Sequence, residues 1–113
     1  MESTAKTKYL RSTARKARLV ADVIRGKMVG DALNLLELSI NKKVATDIAK
    51  TLKAAVANMQ SKNVETAIDV DELKIKEIRV DEGPVLKRFR ARAKGSAARI
   101  IKRMCHISVT VAN

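Results

Sequence analysis

Apolar residues alternate with polar ones near both ends of the chain and recur every three or four residues in between. This pattern predicts strands flanking a helical middle. Residues 104–112 alternate most regularly, with Cys105, Ile107, Val109 and Val111 on one side and His106, Ser108 and Thr110 on the other. That is the period of a strand with one buried face. Residues 73–80 form a second strand whose phase breaks midway: Leu73 and Ile75 share one side, while Ile78 and Val80 fall on the other. One extra residue near Lys76-Glu77, a β-bulge, restores the register. Residues 4–10 read as a third strand, with Ala5, Thr7 and Tyr9 on one side.

Three helices are expected between these strands. Ser12 is placed to cap the first, which runs to about Arg25 and ends at Gly26. Its apolar stripe is Ala17, Val20, Ala21 and Ile24, while Arg15, Arg18, Asp22 and Arg25 occupy another face. A shorter helix opens at Gly30-Asp31 with Asp31 as cap and Ala32, Leu33, Leu36 and Ile40 inward. The third spans residues 42–60, with Val44, Ile48, Leu52, Val56 and Met59 toward the core and alanines between them for close packing. Residues 61–72 are polar and acidic and read as a loop.

Residues 83–104 lack such a pattern. Pairing Ile75 with Val111 centres an antiparallel hairpin on Ala93, which argues against a tight turn at Gly95-Ser96 and for a broad basic loop at the tip. Gly83-Pro84 marks a bend where the sheet hands over to this arm. Each arm holds roughly a dozen residues, or about 40 Å, with too few apolar side chains to make a core. A lone two-stranded hairpin is marginal in water, so another molecule must hold it.

Charge identifies the class of that molecule. The 113 residues carry a net charge of +12, and all 12 acids lie at or before Glu82. Residues 83–113 hold 8 cations and no acid; residues 6–27 hold 8 cations against Asp22 alone. Cations gathered without counter-charge repel one another, so a polyanionic partner is implied. With Tyr9 and Phe89 the only aromatic residues, there is no platform for stacking single-stranded bases. Phosphate contact and shape recognition remain. The sign of the charge does not separate RNA from DNA. The candidates for phosphate contact, RNA-binding if the polyanion is RNA, are Lys8, Arg11, Arg15, Lys16, Arg18, Arg25 and Lys27 in the first half, and Lys87, Arg88, Arg90, Arg92, Lys94, Arg99, Lys102, Arg103 and His106 in the second.

Other chemistry is not supported. Cys105 and His106 are neighbours on a strand and face opposite ways, so they do not make a nucleophile–base pair. One His and one Cys cannot build a zinc site. Asp69-x-Asp71-Glu72 lacks the glycine and spacing of a calcium loop, and no glycine-rich nucleotide loop is present. No cofactor, metal or small-molecule substrate is expected. No apolar run approaches the roughly 20 residues of a membrane span, and no apolar segment follows the first residues to suggest a secretory signal. A single cysteine fits a reducing, cytoplasmic setting. Residues 1–113 read as one domain with an arm at about 83–104.

The basic half also carries a signature. Val80-Asp81-Glu82-Gly83-Pro84, Leu86-Lys87-Arg88-Phe89, Arg92-Ala93-Lys94-Gly95 and Lys102-Arg103-x-x-His106-Ile107-Ser108-Val109 resemble, in order, the large-subunit ribosomal protein L-twenty-two family. Arg15-Lys16-Ala17-Arg18-Leu19-Val20 with Ile24-Arg25-Gly26-Lys27 resembles that family's first helix. This chain has Ala91 where a proline is usual, Ser96 where an arginine is usual, and Met104-Cys105 where Thr-Ser is usual. The resemblance implies an α+β fold of three helices on a three-stranded antiparallel sheet with a long protruding basic hairpin. It implies a structural, non-enzymatic role on large-subunit rRNA, beside neighbouring large-subunit proteins. It further implies that Arg88, Phe89, Arg90, Ala91, Arg92 and Ala93 form a tip lining the tunnel of the nascent polypeptide. The competing reading is an architectural DNA- or RNA-binding protein outside the ribosome.

Overall fold

The computed structural model describes residues 2–39, 41–62 and 69–113, with Val70 described by its backbone alone. The elements run β1 (Glu2–Leu10), α1 (Ala14–Ile24), α2 (Val29–Glu37), α3 (Lys42–Lys62), a 3-10 turn (Val70–Glu72), β2 (Lys74–Glu82), β3 (Leu86–Ala91), a turn (Ala93–Gly95), β4 (Ala97–Lys102) and β5 (Cys105–Ala112). Strands β1, β5 and β2 form an antiparallel sheet with β5 in the centre, and β3 pairs with β4 alone. The fold is therefore α+β, three helices with a three-stranded sheet and a separate hairpin.

The first two helices start differently from expectation, and the third starts at Lys42 as expected. Helix α1 is capped by Thr13, whose hydroxyl accepts from the Lys16 N–H. Ser12 is drawn instead into a tight turn, its N–H donating to the Leu10 carbonyl at 2.8 Å. Gly26, at φ +77°, turns the chain after α1. Helix α2 begins at Val29, with Asp31 inside its first turn rather than at the cap. Backbone pairing sets that start: the Val29 N–H donates to the Leu73 carbonyl, and the Ile75 N–H donates to that of Lys27, each at 3.0 Å. Asp31 still meets the positive end of the helix. Helix α3 continues to Lys62, into the stretch read as a loop. Residues 63–68 of that stretch, and the inward placement of Ile40, lie outside the described residues.

The core lies between the helices and one face of the sheet. Cys105, Ile107, Val109 and Val111 are fully buried beneath α3, as their alternation predicts. From α3 come Val44, Ile48, Leu52, Ala55 and Met59. Val56 is only partly buried; Ala55 takes the inward place. Each fully buried Ile, Leu or Val contributes about 1.5–3 kcal/mol. No residue between Val80 and Cys105 belongs to this core.

The expected bulge is present. Ile75 pairs with Val111 and Ile78 with Val109, with a register shift between Ile75 and Glu77. All four side chains are thereby buried. A second irregularity changes the reading of β1. Between Thr7 and Leu10 its register shifts, and Tyr9 sits at φ +58°. Leu10, paired with Cys105, takes the half-buried position. Tyr9 is turned out, 60 % exposed, and not inward with Ala5. Its N–H donates to His106 Nδ1 at 3.0 Å, and its ring meets the imidazole edge-on at 5.0 Å.

Candidate nucleic-acid interface

The hairpin joins the sheet through Gly83, whose N–H donates to the Met104 carbonyl at 2.9 Å. From Leu86–Lys102 to Ala91–Ala97 the two strands pair in register. The turn centres on Lys94 rather than Ala93, because the β2 bulge and the join at Gly83 each displace the pairing. It is also tighter than a broad loop. The Arg92 N–H donates to the Ser96 carbonyl at 2.7 Å, and Lys94 and Gly95 both take positive φ. Of the residues assigned to a tip, Arg88, Phe89, Arg90 and Ala91 lie on β3, while Arg92 and Ala93 enter the turn.

No hairpin residue is buried. Pairing puts Arg88, Arg90 and Lys102 on one face with Leu86, Ala98 and Ile100, and Lys87 and Arg99 on the other with Phe89 and Ile101. Phe89 is 74 % exposed. Among the described residues, no salt bridge involves a hairpin cation.

At the base of the hairpin the fold makes a cleft of about 750 Å³. Arg11 reaches it from the β1–α1 corner, Lys16 from the first turn of α1, Lys42 and Lys43 from the first turn of α3, and Lys102 and Arg103 from the end of β4. Among the described residues, no carboxylate lines it. Neither helix has an acid in its first turn. Cations there oppose the helix dipole, a cost that a bound anion reverses, and free backbone N–H groups at helix starts add donors.

Lys42 and Lys43 do not appear among the sequence-derived candidates. Two lysines opening a helix without an acid were the available signal. Their closeness to Arg11 and Arg103 is a tertiary fact.

The other candidates divide by surroundings. Arg15 and Lys27 are exposed. Lys8 and His106 lie on the open face of the sheet, around a depression they share with Lys6 and Arg79. His106 accepts on Nδ1, so in the neutral ring the proton is on Nε2. Arg18 and Arg25 are engaged within the chain. Arg18 donates through Nε and NH2 to the Val80 carbonyl at 3.2 and 3.0 Å. Arg25 donates to the Ile78 carbonyl at 3.1 Å and to Asp22 at 2.6 Å. Strand β2 is an edge strand, and these guanidinium groups occupy carbonyls that no strand covers.

Cys105 is fully buried, and burial pushes its thiol up from the usual value, with Asp47 adding to the shift. Such a thiol is a poor nucleophile. Among the described residues, no helix is long and apolar enough to cross a membrane.

Residues 5–112 match the profile of the family described as Ribosomal protein L22p/L17e. The match takes in the sheet, the three helices, the cleft and the hairpin. That family is a structural one rather than a family of enzymes, and its partners are rRNA and other ribosomal proteins. The chain belongs to the Ribosomal protein L22p/L17e family and is a ribosome-associated, RNA-binding structural protein of the large subunit.

Proposed function

We propose that the chain holds large-subunit rRNA by neutralising phosphates on two surfaces, the cleft and the hairpin, and so pins RNA segments during assembly. The observation that carries this reading is the convergence of six cations from separate parts of the chain on one cleft that, among the described residues, no carboxylate lines. Lys87, Arg88, Arg90, Arg92, Lys94 and Arg99 extend the same chemistry along the hairpin. Arg15, Lys8 and His106 offer further cationic or polar contacts on the body, and Lys27 lies at the opposite end of β2, beside Ile75. Arg18 and Arg25 serve the β2 edge first, and any phosphate they meet shares them with Val80 and Ile78. The hairpin, exposed on both faces, lines the path of the nascent polypeptide and presents Phe89 and its neighbours to the passing chain.

The test is the salt dependence of binding to an rRNA fragment. Each phosphate neutralised adds roughly 0.7–0.9 to the slope of log affinity against log salt. Replacing Lys42 and Lys43 together by alanine, or Arg88 and Arg92 together, is expected to lower that slope in each case. A slope near zero in the parent chain would sink the phosphate-clamp reading. The tunnel role is tested by a photo-crosslinker at position 89 in ribosomes stalled on a nascent chain, where the expected adduct is with the peptide.

A further inference from the structure

A second depression of about 360 Å³ lies between α1 and α2. Its chemistry is opposite to that of the cleft. Leu19, Val23, Leu35 and Leu38 line it with the neighbouring aliphatic side chains of both helices, and its polar lining residues are Ser39 and Asn41. Among the described residues, no charged side chain lines it. Leu19 is 62 % exposed, Val23 54 % and Leu38 81 %. A concentration of bare aliphatic surface on so cationic a chain calls for an occupant.

The two depressions share Asn41. Lys42 follows it directly on the cleft side, and Lys16 lies one helical turn before Leu19 and Val20 on α1. One continuous surface thus runs from a cationic cleft, past an amide and a hydroxyl, into an uncharged slot. A nucleotide has the same order of chemistry: phosphate, polar sugar and base edge, uncharged base face. A second copy of this chain would bring +12 against +12. Phosphate alone has no reason to enter a slot without cations.

We infer that the α1–α2 groove receives one unpaired nucleobase of the bound RNA, flanked by Leu19 and Leu38, with Asn41 at its polar edge and the adjoining phosphates in the cleft. Unstacked bases are what proteins read in RNA, and an extruded base is held between apolar as well as aromatic side chains. The inference rests on the RNA-binding reading above and adds to it a site for a base, where the hairpin and cleft offer sites for phosphate alone.

The experiment uses the full chain and an RNA hairpin with one bulged 2-aminopurine nucleotide, beside the same hairpin with an abasic bulge. Stacking quenches 2-aminopurine, and an aliphatic slot does not. Binding is therefore expected to raise the emission and to shield the base from acrylamide. The abasic hairpin should bind about tenfold more weakly, in line with the loss of the apolar surface that one base would bury. Replacing Leu19 and Leu38 by serine should abolish the emission rise and reduce the affinity for the bulged hairpin to that of the abasic one. Leu38→Ser alone gives a second variant, since Leu38 lies past the end of α2 and outside the core. Replacing Lys42 and Lys43 by alanine should weaken both hairpins alike. Equal affinity for the two hairpins without an emission change would overturn the inference. So would leucine variants that keep RNA binding but lose a purified neighbouring large-subunit protein, which would make the groove a protein seat. If the chain binds neither hairpin, the RNA-binding reading itself fails, a result distinct from either of these.

Discussion

Strands β4 and β5 are separated only by Arg103 and Met104, yet they are held by different means. Both are fully paired in antiparallel ladders. In β5 every second side chain is buried under the helices, whereas in β4 none is. Backbone pairing alone does not make a stable element in water; burial of side chains does. The charge follows the same division. The only salt bridges among the described residues lie on α1 and among β1 and β2, with none in the hairpin. The chain thus places its buried apolar side chains in the body, and under the function proposed above the arm is completed by RNA.

The largest effect that could break this comparison is in the core. Ile48→Ala removes a fully buried side chain beneath the sheet and is expected to cost about 2–5 kcal/mol in urea unfolding. Phe89→Ala, on the exposed arm, is expected to change stability by no more than about 0.5 kcal/mol. Comparable losses from both would mean that the arm is part of the cooperative unit.

The bulge shows why so much of the body was legible in the sequence. Leu73, Ile75, Ile78 and Val80 must all be buried, and only one slip of register allows it. The Ile75–Val111 pair, assumed in placing the hairpin, is present. Tyr9 misled because its outward turn depends on one positive φ and a bond to His106, neither of which changes the alternation around it. Val56 misled because either it or Ala55 continues the stripe from Leu52, and the close approach of β1 and β5 to α3 favours the smaller residue. The cleft was half legible. Arg11, Lys16, Lys102 and Arg103 stood out as basic residues, but their meeting with Lys42 and Lys43 depends on how α3 packs. The engagement of Arg18 and Arg25 depends on which strand lies at the edge, and sheet order is not written in one helix's periodicity.

A smaller effect separates cations that serve the fold from those that await RNA. Arg18→Met removes both bonds to the Val80 carbonyl and is expected to lower stability by about 1 kcal/mol, allowing for the exposure of the group. The slope of RNA affinity against salt should barely move. Lys43→Ala is expected to do the reverse, with stability unchanged and the slope reduced. A steeper loss of slope from Arg18→Met than from Lys43→Ala would erase the distinction.

The smallest effect lies at the far end of the sheet, where Glu2 on β1 bridges β5 to meet Lys76 on β2. The hydrogen bond and charge of Lys76 hold the Glu2 carboxyl below its usual value, and Glu2 in turn raises Lys76. A lowered carboxyl stabilises the fold above its unfolded pKa and loses that contribution as pH falls through the folded one. A raised lysine stabilises the fold up to the ordinary lysine range and loses that contribution as pH climbs beyond it. The stability difference between the parent and Glu2→Gln is thus expected to be small at neutral pH, to vanish in acid below the carboxylate range, and to shrink in high salt. A difference that grew in acid would show that Glu2 acts through something other than Lys76.

Gly83 has a mechanical consequence. A Cβ there would stand 3.2 Å from His106 Nε2 and 3.3 Å from the Met104 carbonyl carbon. Both of those neighbours belong to the returning strand. A side chain there would make those neighbours give by a few tenths of an ångström at the root of the arm, about 11 residues, or some 36 Å, from its apex. At that distance the arm acts as a lever, and a tilt of about 10° at the root carries the apex through roughly 6 Å, more than the spacing of adjacent strands. Aim at the far end is thus sensitive to the close approach that the bare Gly83 allows at the root.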